Sequence, residues 1–248
     1  MPRLLILGGT AEAVELARRA AANPKIEVVS SLAGRTSRPR RPAGGLRVGG
    51  FGGVDGLLDY LHQGAIDLLV DATHPYAAVI SHNADQACRR AGIERLSLVR
   101  PAWRAEPNDR WIEVPDAAAA AARLPDLGHR AFLTLGRRDL EVFASRAGIW
   151  FLVRLIEVRP PTGFADATFI QDRGPFTRQA ELALMREHRI DCLVSKNSGG
   201  EATHGKILAA RELSLPVLMI ARPPPPGGAQ VASVMEAQDW LGQRIREG

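Results

Sequence analysis

A turn of small residues follows the first apolar run of the chain and has the composition of a phosphate-binding loop. The aliphatic residues 4–7, typical of a buried strand, run directly into Gly8, Gly9, Thr10, Ala11 and Glu12 before a helical stretch. Glycines between a strand and a helix bring backbone N–H groups and the positive end of the helix dipole towards a phosphate. The spacing is an abbreviated form of G-x-G-x-x-G. These five residues are predicted to bind a cofactor, and a tight turn without a ligand is the alternative.

The end of the second apolar run carries hydroxyl and basic groups where an NAD-binding site has a carboxylate. In such a site an acidic residue about 20 positions after the glycines accepts the ribose hydroxyls. Here the strand runs into Ser31, Gly34, Arg35 and Thr36, and residues 31–54 contain five arginines and no acid. An arginine suits a 2′-phosphate, so these four residues are predicted to bind NADPH. A solvent-exposed basic loop is the alternative.

The third apolar run ends in a loop with groups that can transfer protons or stack on a ligand. Open α/β sheets bind ligands at the carboxyl ends of their strands, and Asp71, Thr73, His74, Pro75 and Tyr76 lie there. Thr73 and His74 are predicted to contact the cofactor, and Tyr76 is predicted to stack on a flat substrate. In a second interpretation, compatible with the first, Asp71 and Thr73 cap the next helix and Pro75 begins it.

The second half of the chain has its own loops rich in donors. Lys196, Asn197, Ser198 and Gly199 follow one predicted strand, and Arg137 follows another. Cationic and hydroxyl donors on a glycine-containing loop are what an anionic ligand needs. These five residues are predicted to bind the substrate.

Hydride transfer is the chemistry that these loops favour. The sequence has no nucleophile elbow, no Walker lysine and no group of His, Cys, Asp or Glu with metal-ligand spacing, so no metal is predicted. Hydride transfer needs mainly two bound molecules in the right geometry, because the cofactor supplies the reactive group. The catalytic residue is left unassigned, with His74, Tyr76 and Lys196 as candidates.

The elements that position these loops are short apolar strands alternating with helices. This pattern predicts an α/β protein whose mainly parallel sheets are flanked by helices. Residues 5–8 and 133–136 each end a strand on glycine before a helix, which suggests a repeated unit. We therefore expect two Rossmann-like lobes with a cleft between them. Residues 1–125 would form the NADPH-binding lobe, and residues 126–248 would contribute to the substrate cleft.

Composition excludes several classes of protein. The 32 basic and 27 acidic residues give a net charge of +5, but no nucleic-acid-binding motif accompanies it. Cys88 and Cys192 are far apart, which disfavours a disulfide framework. The first apolar run is too short for a signal peptide, and no run approaches the roughly 18 residues of a membrane span. A soluble, cytoplasmic protein is expected.

Taken in order along nearly the whole chain, these motifs resemble the precorrin-6A reductases of cobalamin (vitamin B12) biosynthesis, including the cobalt-precorrin-6A branch. The matching segments are residues 6–13, 31–36, 49–53, 71–77, 136–137, 174–176 and 191–206. No single segment is specific, but the ordered set is.

The resemblance implies an NADPH-dependent oxidoreductase that reduces one ring double bond of the tetrapyrrole precorrin-6A and gives precorrin-6B (dihydro-precorrin-6A). The substrate's acetate and propionate groups would suit the arginines and lysines of the loops. We expect no nucleic-acid or membrane partner, and transient contact with neighbouring enzymes of the pathway. A cobalt-containing substrate and a non-catalytic NADP(H)-binding regulator are the alternatives.

Overall fold

The computed structural model describes residues 1–34, 41–157 and 162–247. The chain divides into two compact units. Unit 1 contains Met1–Pro101 and Pro223–Gly248, and unit 2 contains Ala102–Arg222.

Strands and helices alternate along the described residues. The strands are β1 (Arg3–Leu7), β2 (Glu27–Leu32), β3 (Gly45–Val48), β4 (Leu68–Asp71), β5 (Glu94–Leu98), β6 (Arg110–Val114), β7 (Arg130–Thr134), β8 (Trp150–Leu155), β9 (Ala167–Gln171), β10 (Cys192–Lys196), β11 (Pro216–Ile220) and β12 (Ala229–Val231). The helices are α1 (Ala11–Ala21), α2 (Val54–Gln63), α3 (Ala78–Ala91), α4 (Ala117–Arg123), α5 (Glu141–Ala144), α6 (Arg178–Glu187), α7 (Gly205–Glu212) and α8 (Val234–Glu247).

Each unit contains one six-stranded sheet in which the neighbouring strands are parallel. The order in unit 1 is β12-β5-β4-β1-β2-β3, and the order in unit 2 is β6-β11-β10-β7-β8-β9. Counted from β3, the sheet of unit 1 has the 3-2-1-4-5-6 order of dinucleotide-binding sheets. Counted from β9, the sheet of unit 2 has the 3-2-1-4-5 part of that order, and its sixth position is filled by β6, which precedes the other five strands along the chain. The prediction of two Rossmann-like α/β lobes is therefore confirmed. The order also makes β1 and β7 equivalent strands, as the repeated strand–glycine pattern suggested.

The core of unit 1 follows from the four aliphatic residues 4–7 of strand β1. Successive side chains of a strand point to opposite faces. Leu4 and Ile6 pack in one cluster with residues of α1 and α8, and Leu5 and Leu7 pack in another with residues of α2 and α3. A strand covered on both faces must be apolar wherever it is buried, and residues 4–7 of β1 are both buried and aliphatic.

The predicted boundary after residue 125 differs from the observed division and is corrected. β6 and α4 precede that boundary, yet β6 pairs with β11 in the sheet of unit 2 and α4 contacts the same strand. At the other end of the chain, β12 pairs with β5 and α8 packs on α1, so both belong to unit 1. The predicted boundary therefore placed one strand of each sheet in the wrong lobe: β6 belongs to unit 2, and β12 belongs to unit 1.

Candidate functional site

The turn after β1 leaves backbone N–H groups directed away from the fold. The Gly8 N–H is already used, because it donates to the Ser31 carbonyl at 2.9 Å. Gly9 has φ +115°, a conformation that favours glycine, and a Cβ there would meet no atom within 4 Å. The turn therefore has open space beside Gly9, at the start of the 11-residue helix α1.

Thr10 fixes this turn to the loop that follows β4. Its hydroxyl accepts from the Ala13 N–H at 3.1 Å as the N-cap of α1, and donates to the Ala72 carbonyl at 2.7 Å. The hydroxyl is thus used within the fold. The N–H groups of Ala11 and Glu12 precede that of Val14, which is the first to bond to a carbonyl of the helix, and this leaves them for an anion.

The Glu12 carboxylate lies in an ion pair with Arg100, at 2.9 Å. Arg100 follows β5, and its side chain is 16% exposed. Glu12 can therefore offer a ligand its N–H, while its carboxylate holds a cation beside the turn. Sequence reasoning missed Arg100, although a basic residue directly after a predicted strand was a readable signal.

The ends of β2 and β3 lie close together at the same edge of the sheet. Ser31 is buried and Gly34 has φ +70°. A Cβ on Gly34 would lie 3.1 Å from Val48 Cγ1, so glycine permits this close approach. The predicted 2′-phosphate ligands Arg35 and Thr36 lie outside the described residues.

The loop after β4 is built by its own side chains. Asp71 is buried, and its Oδ1 accepts from the Thr73 N–H at 3.1 Å and from the Thr73 hydroxyl at 2.7 Å. α3 begins at Ala78 with no side-chain cap, so the prediction that Asp71 and Thr73 cap it and Pro75 begins it was wrong. These residues instead shape the loop that carries His74.

His74 and Tyr76 lie side by side on this loop. The Tyr76 N–H donates to His74 Nδ1 at 3.3 Å, and the two ring centroids are 5.7 Å apart. Because Nδ1 accepts, the neutral His74 ring carries its proton on Nε2. The loop thus presents a proton-bearing ring next to an aromatic one.

The corresponding edge of unit 2 holds a paired lysine. Lys196, at the end of β10, lies 2.6 Å from Asp139 Oδ2. Asp139 belongs to the 3₁₀ helix Arg137–Asp139 that follows β7. The structure therefore brings two predicted substrate-binding segments together, through a carboxylate that the sequence did not single out.

Asn197 has a positioning role that the sequence did not predict. Its Oδ1 accepts from the Trp103 N–H at 2.8 Å, and its Nδ2 donates to the Trp103 carbonyl at 3.0 Å. The Trp103 indole N–H donates to the Gly200 carbonyl at 3.1 Å. Gly199 and Gly200 both have positive φ, which gives the loop its turn. The Asn197 amide thus holds the loop that carries Lys196.

Comparison with known proteins identifies the family. Residues 3–242 match the family model described as precorrin-6x reductase CbiJ/CobK. The chain belongs to this family. It is 50% identical to the precorrin-6A reductase of Rhodococcus erythropolis, over 99% of this chain and 100% of that protein. The cobalt-precorrin-6A reductase of Salmonella typhimurium is 30% identical, over 98% and 95%.

A solved structure superposes on nearly the whole length of this chain. The structure titled CobK precorrin-6A reductase has a TM-score of 0.92 and 42% identity, and covers 98% of this chain and 97% of its own. As a member of the precorrin-6x reductase family, the protein is an oxidoreductase of cobalamin biosynthesis that acts on a small-molecule precorrin. Within the described residues, no helix has both the length and the apolar composition needed to cross a membrane.

A group of buried charges lies inside unit 2 of this reductase. Arg154 and Glu181 form a bidentate pair, with Nη2 and Oε2 3.1 Å apart. The Lys206 Nζ lies 5.5 Å from the centre of the Trp103 ring. Burial, and then the charge of Arg154, lower the pKa of Lys206 to about 7, while Glu181 acts in the opposite direction. Neither the sequence motifs nor the family resemblance predicted that the pKa of Lys206 would lie near neutral pH.

The two cysteines are unsuited to nucleophilic chemistry. Burial raises the pKa of Cys88 and of Cys192 to about 12, so both thiols stay protonated near neutral pH. Within residues 1–34, 41–157 and 162–247, no three His, Cys, Asp or Glu side chains form a group that could hold a metal ion.

Proposed function

We propose that this protein reduces precorrin-6A to precorrin-6B with NADPH as the hydride donor. The observation that carries the proposal is the turn between β1 and α1. It combines a glycine at positive φ, open space beside that glycine and uncapped helix N–H groups, in a sheet of the 3-2-1-4-5-6 order. Such a turn fits the diphosphate of a dinucleotide.

Unit 1 would hold the cofactor. The N–H groups of Ala11 and Glu12 are suited to the diphosphate, while Gly8 and Thr10 keep the turn in shape through their bonds to the neighbouring strand and loop. Arg35 and Thr36 are proposed to bind the 2′-phosphate on the basis of the sequence. Bound there, NADPH supplies a hydride.

Unit 2 would hold the carboxylates of the tetrapyrrole. Lys196, Arg137 and Ser198 supply donors near the ends of β7 and β10. Because Asp139 already pairs with Lys196, a substrate carboxylate that binds this lysine shares it with, or displaces, Asp139. The pair thereby holds the ammonium group in place before substrate arrives.

The reduction also needs a proton, and the loop after β4 provides candidates in unit 1. In its imidazolium form His74 can give up a ring proton and return to the neutral state, and Tyr76 lies against the same ring. We propose His74 as the proton donor, with Tyr76 stacking on the macrocycle.

Cobalt-free precorrin-6A is preferred to the cobalt-containing substrate because the chain shares 50% identity with a precorrin-6A reductase and 30% with a cobalt-precorrin-6A reductase. We further propose that the enzyme works in the cytoplasm, where its two free thiols would stay reduced, and that it contacts neighbouring pathway enzymes transiently.

The proposal is tested by anaerobic incubation of the enzyme with NADPH and precorrin-6A, following NADPH oxidation and formation of a dihydro product. Absence of turnover with tight NADPH binding would favour a regulatory protein, and turnover with cobalt-precorrin-6A alone would favour the other branch. Arg35→Ala is expected to raise the KM for NADPH far more than that for NADH.

The substrate assignment has its own test. Lys196→Met is expected to raise the KM for the tetrapyrrole about tenfold or more, because a charge-assisted bond is lost, and to leave the Kd of NADPH unchanged. Lys25→Met is the matched control, since Lys25 is exposed in unit 1. An equal change in both variants would contradict the role of Lys196.

A further inference from the structure

Arg47 lies on β3 at the edge of the sheet where the adenosine end of the cofactor is expected. In the parallel pairing of β2 with β3, Arg47 is the partner of Ser31. The Gly8 N–H donates to the carbonyl of that same serine, so the glycine turn, Ser31 and Arg47 follow one another across the sheet. In sheets of this order, the end of the second strand receives the adenosine ribose.

Arg47 differs from the other arginines of unit 1 in its charge balance. Most of them have a carboxylate within 3.0 Å. These pairs are Arg3–Glu27, Arg18–Glu15, Arg19–Glu15, Arg89–Asp85, Arg90–Asp55, Arg95–Asp85, Arg100–Glu12 and Arg244–Glu94. Among the side chains that the structure describes in unit 1, Arg47 and the exposed Arg41 are the arginines with no carboxylate at ion-pair distance. Arg47 is half-buried, where an uncompensated charge is more costly.

The guanidinium of Arg47 is nevertheless held in a defined orientation. Nη1 donates to the Gly49 carbonyl at 2.6 Å and lies 3.4 Å from Ser31 Oγ, and Nη2 donates to the Gly50 carbonyl at 2.9 Å. The guanidinium carbon lies 3.8 Å from the centre of the Phe51 ring. Carbonyl oxygens and an aromatic face orient a cation without neutralising it.

These contacts leave one edge of the guanidinium for a ligand. Arginine has five N–H donors, and the bonds described leave the Nε–H and one Nη2–H, which point in the same direction. Two parallel donors of this kind match two oxygens of a phosphate. Residues 31–54, which flank Arg47 along the chain, contain no acidic residue that could pair with it locally.

We propose that Arg47 is a specificity-determining residue that binds the 2′-phosphate of NADPH through its Nε–Nη2 edge. This inference rests on the proposed function, and it adds a phosphate-binding cation that lies within the described residues.

The test compares 2′,5′-ADP with 5′-AMP, which differ in the 2′-phosphate. Arg47→Met keeps the apolar stem over Phe51 and removes the charge. It is expected to weaken the binding of 2′,5′-ADP about tenfold or more, measured by titration calorimetry, and to change the Kd of 5′-AMP less than about twofold. Arg47→Lys keeps the charge but loses the fork, so it should give an intermediate ratio of the two affinities.

Arg89→Met is the matched control. Arg89 is an arginine of unit 1 on α3, 70% exposed and paired with Asp85, and its loss should leave the ratio unchanged. A wild-type ratio in both Arg47 variants would overturn the inference and leave the proposed function standing. A wild-type protein that binds 2′,5′-ADP no more tightly than 5′-AMP would instead overturn the NADPH assignment itself. Thermal unfolding of each variant separates loss of the fold from loss of the contact.

Discussion

The two units arrange their strands alike but differ in the turn that follows the central strand. In unit 1 the central strand β1 leads through Gly9 into the 11-residue helix α1. In unit 2 the equivalent strand β7 leads into the 3₁₀ helix Arg137–Asp139 and then a helix of four residues. Gly136 there has φ −74°, which any residue can adopt. Among the described residues, the glycine turn proposed for the dinucleotide therefore has no counterpart after the equivalent strand of unit 2.

The units also differ in where their charges lie. Arginines of unit 1 pair mostly with partly exposed carboxylates, whereas unit 2 buries Arg154, Glu181 and Lys206 together. Arg154 and Glu181 balance each other, and Lys206 adds a positive charge only while it is protonated. A shared topology thus carries the proposed phosphate-binding edge in one unit and a buried charged group in the other, so function has to be argued from each site and not from the fold.

The largest expected effect comes from Glu181→Gln in unit 2. The change leaves Arg154 and Lys206 buried without a negative partner, so the free energy of unfolding should fall by about 3–5 kcal/mol. Urea denaturation measures it. Glu27→Gln breaks the partly exposed pair with Arg3 in unit 1 and should cost less than about 1 kcal/mol. Equal losses would remove the contrast between the units.

One glycine from the turn after each equivalent strand gives the next effect. Gly9→Ala forces a side chain to adopt φ +115°, which costs about 1–3 kcal/mol and should weaken NADPH binding by distorting the turn. Gly136→Ala should leave both quantities close to wild type, because its φ is ordinary. Calorimetric titration of both variants with NADPH measures the affinity, and denaturation of both variants measures the free energy of unfolding. A loss of NADPH affinity in Gly136→Ala would contradict the assignment of the cofactor to unit 1.

Lys206 makes the stability of unit 2 depend on pH. Because its pKa is about 7 in the folded protein and about 10.4 in an unfolded chain, the native state loses its proton first as pH rises. The unfolded state then binds more protons, so stability attributable to this group should increase above pH 7, by up to about 2 kcal/mol at pH 9. Arg154 and Glu181 are the charged groups that act on it. Lys206→Met should abolish the increase in stability above pH 7. If the variant still became more stable above pH 7, another group would be responsible.

The sequence predicted the elements and loops that depend on local patterns. The all-aliphatic strand before Gly8, the donor-rich loop after β10 and the repeat of β1 in β7 all follow from short segments. The contacts that shape the sites join residues far apart in the chain, such as Lys196 with Asp139 and Glu12 with Arg100. A single sequence does not show which of its distant residues come together in such pairs.

The boundary between the units was mispredicted for a similar reason. β6 and β12 are placed by pairing with strands that lie about 100 residues or more away along the chain, and local composition does not reveal such pairing. The role of Asn197 was also missed, because an amide beside a lysine and a serine looks like a ligand donor until its partner, the backbone of Trp103, is known.

The smallest effect separates two threonine caps that look alike in sequence. Thr10 caps α1 in unit 1, and Thr177 caps α6 in unit 2, where its hydroxyl accepts from the Ala180 N–H at 3.2 Å. Thr10 also donates to the Ala72 carbonyl, so Thr10→Val loses one more bond than Thr177→Val. Each change should cost about 1 kcal/mol for the cap, and Thr10→Val about 1 kcal/mol more. Denaturation of both variants measures this difference, and equal costs would show that the bond to the loop after β4 adds nothing to stability.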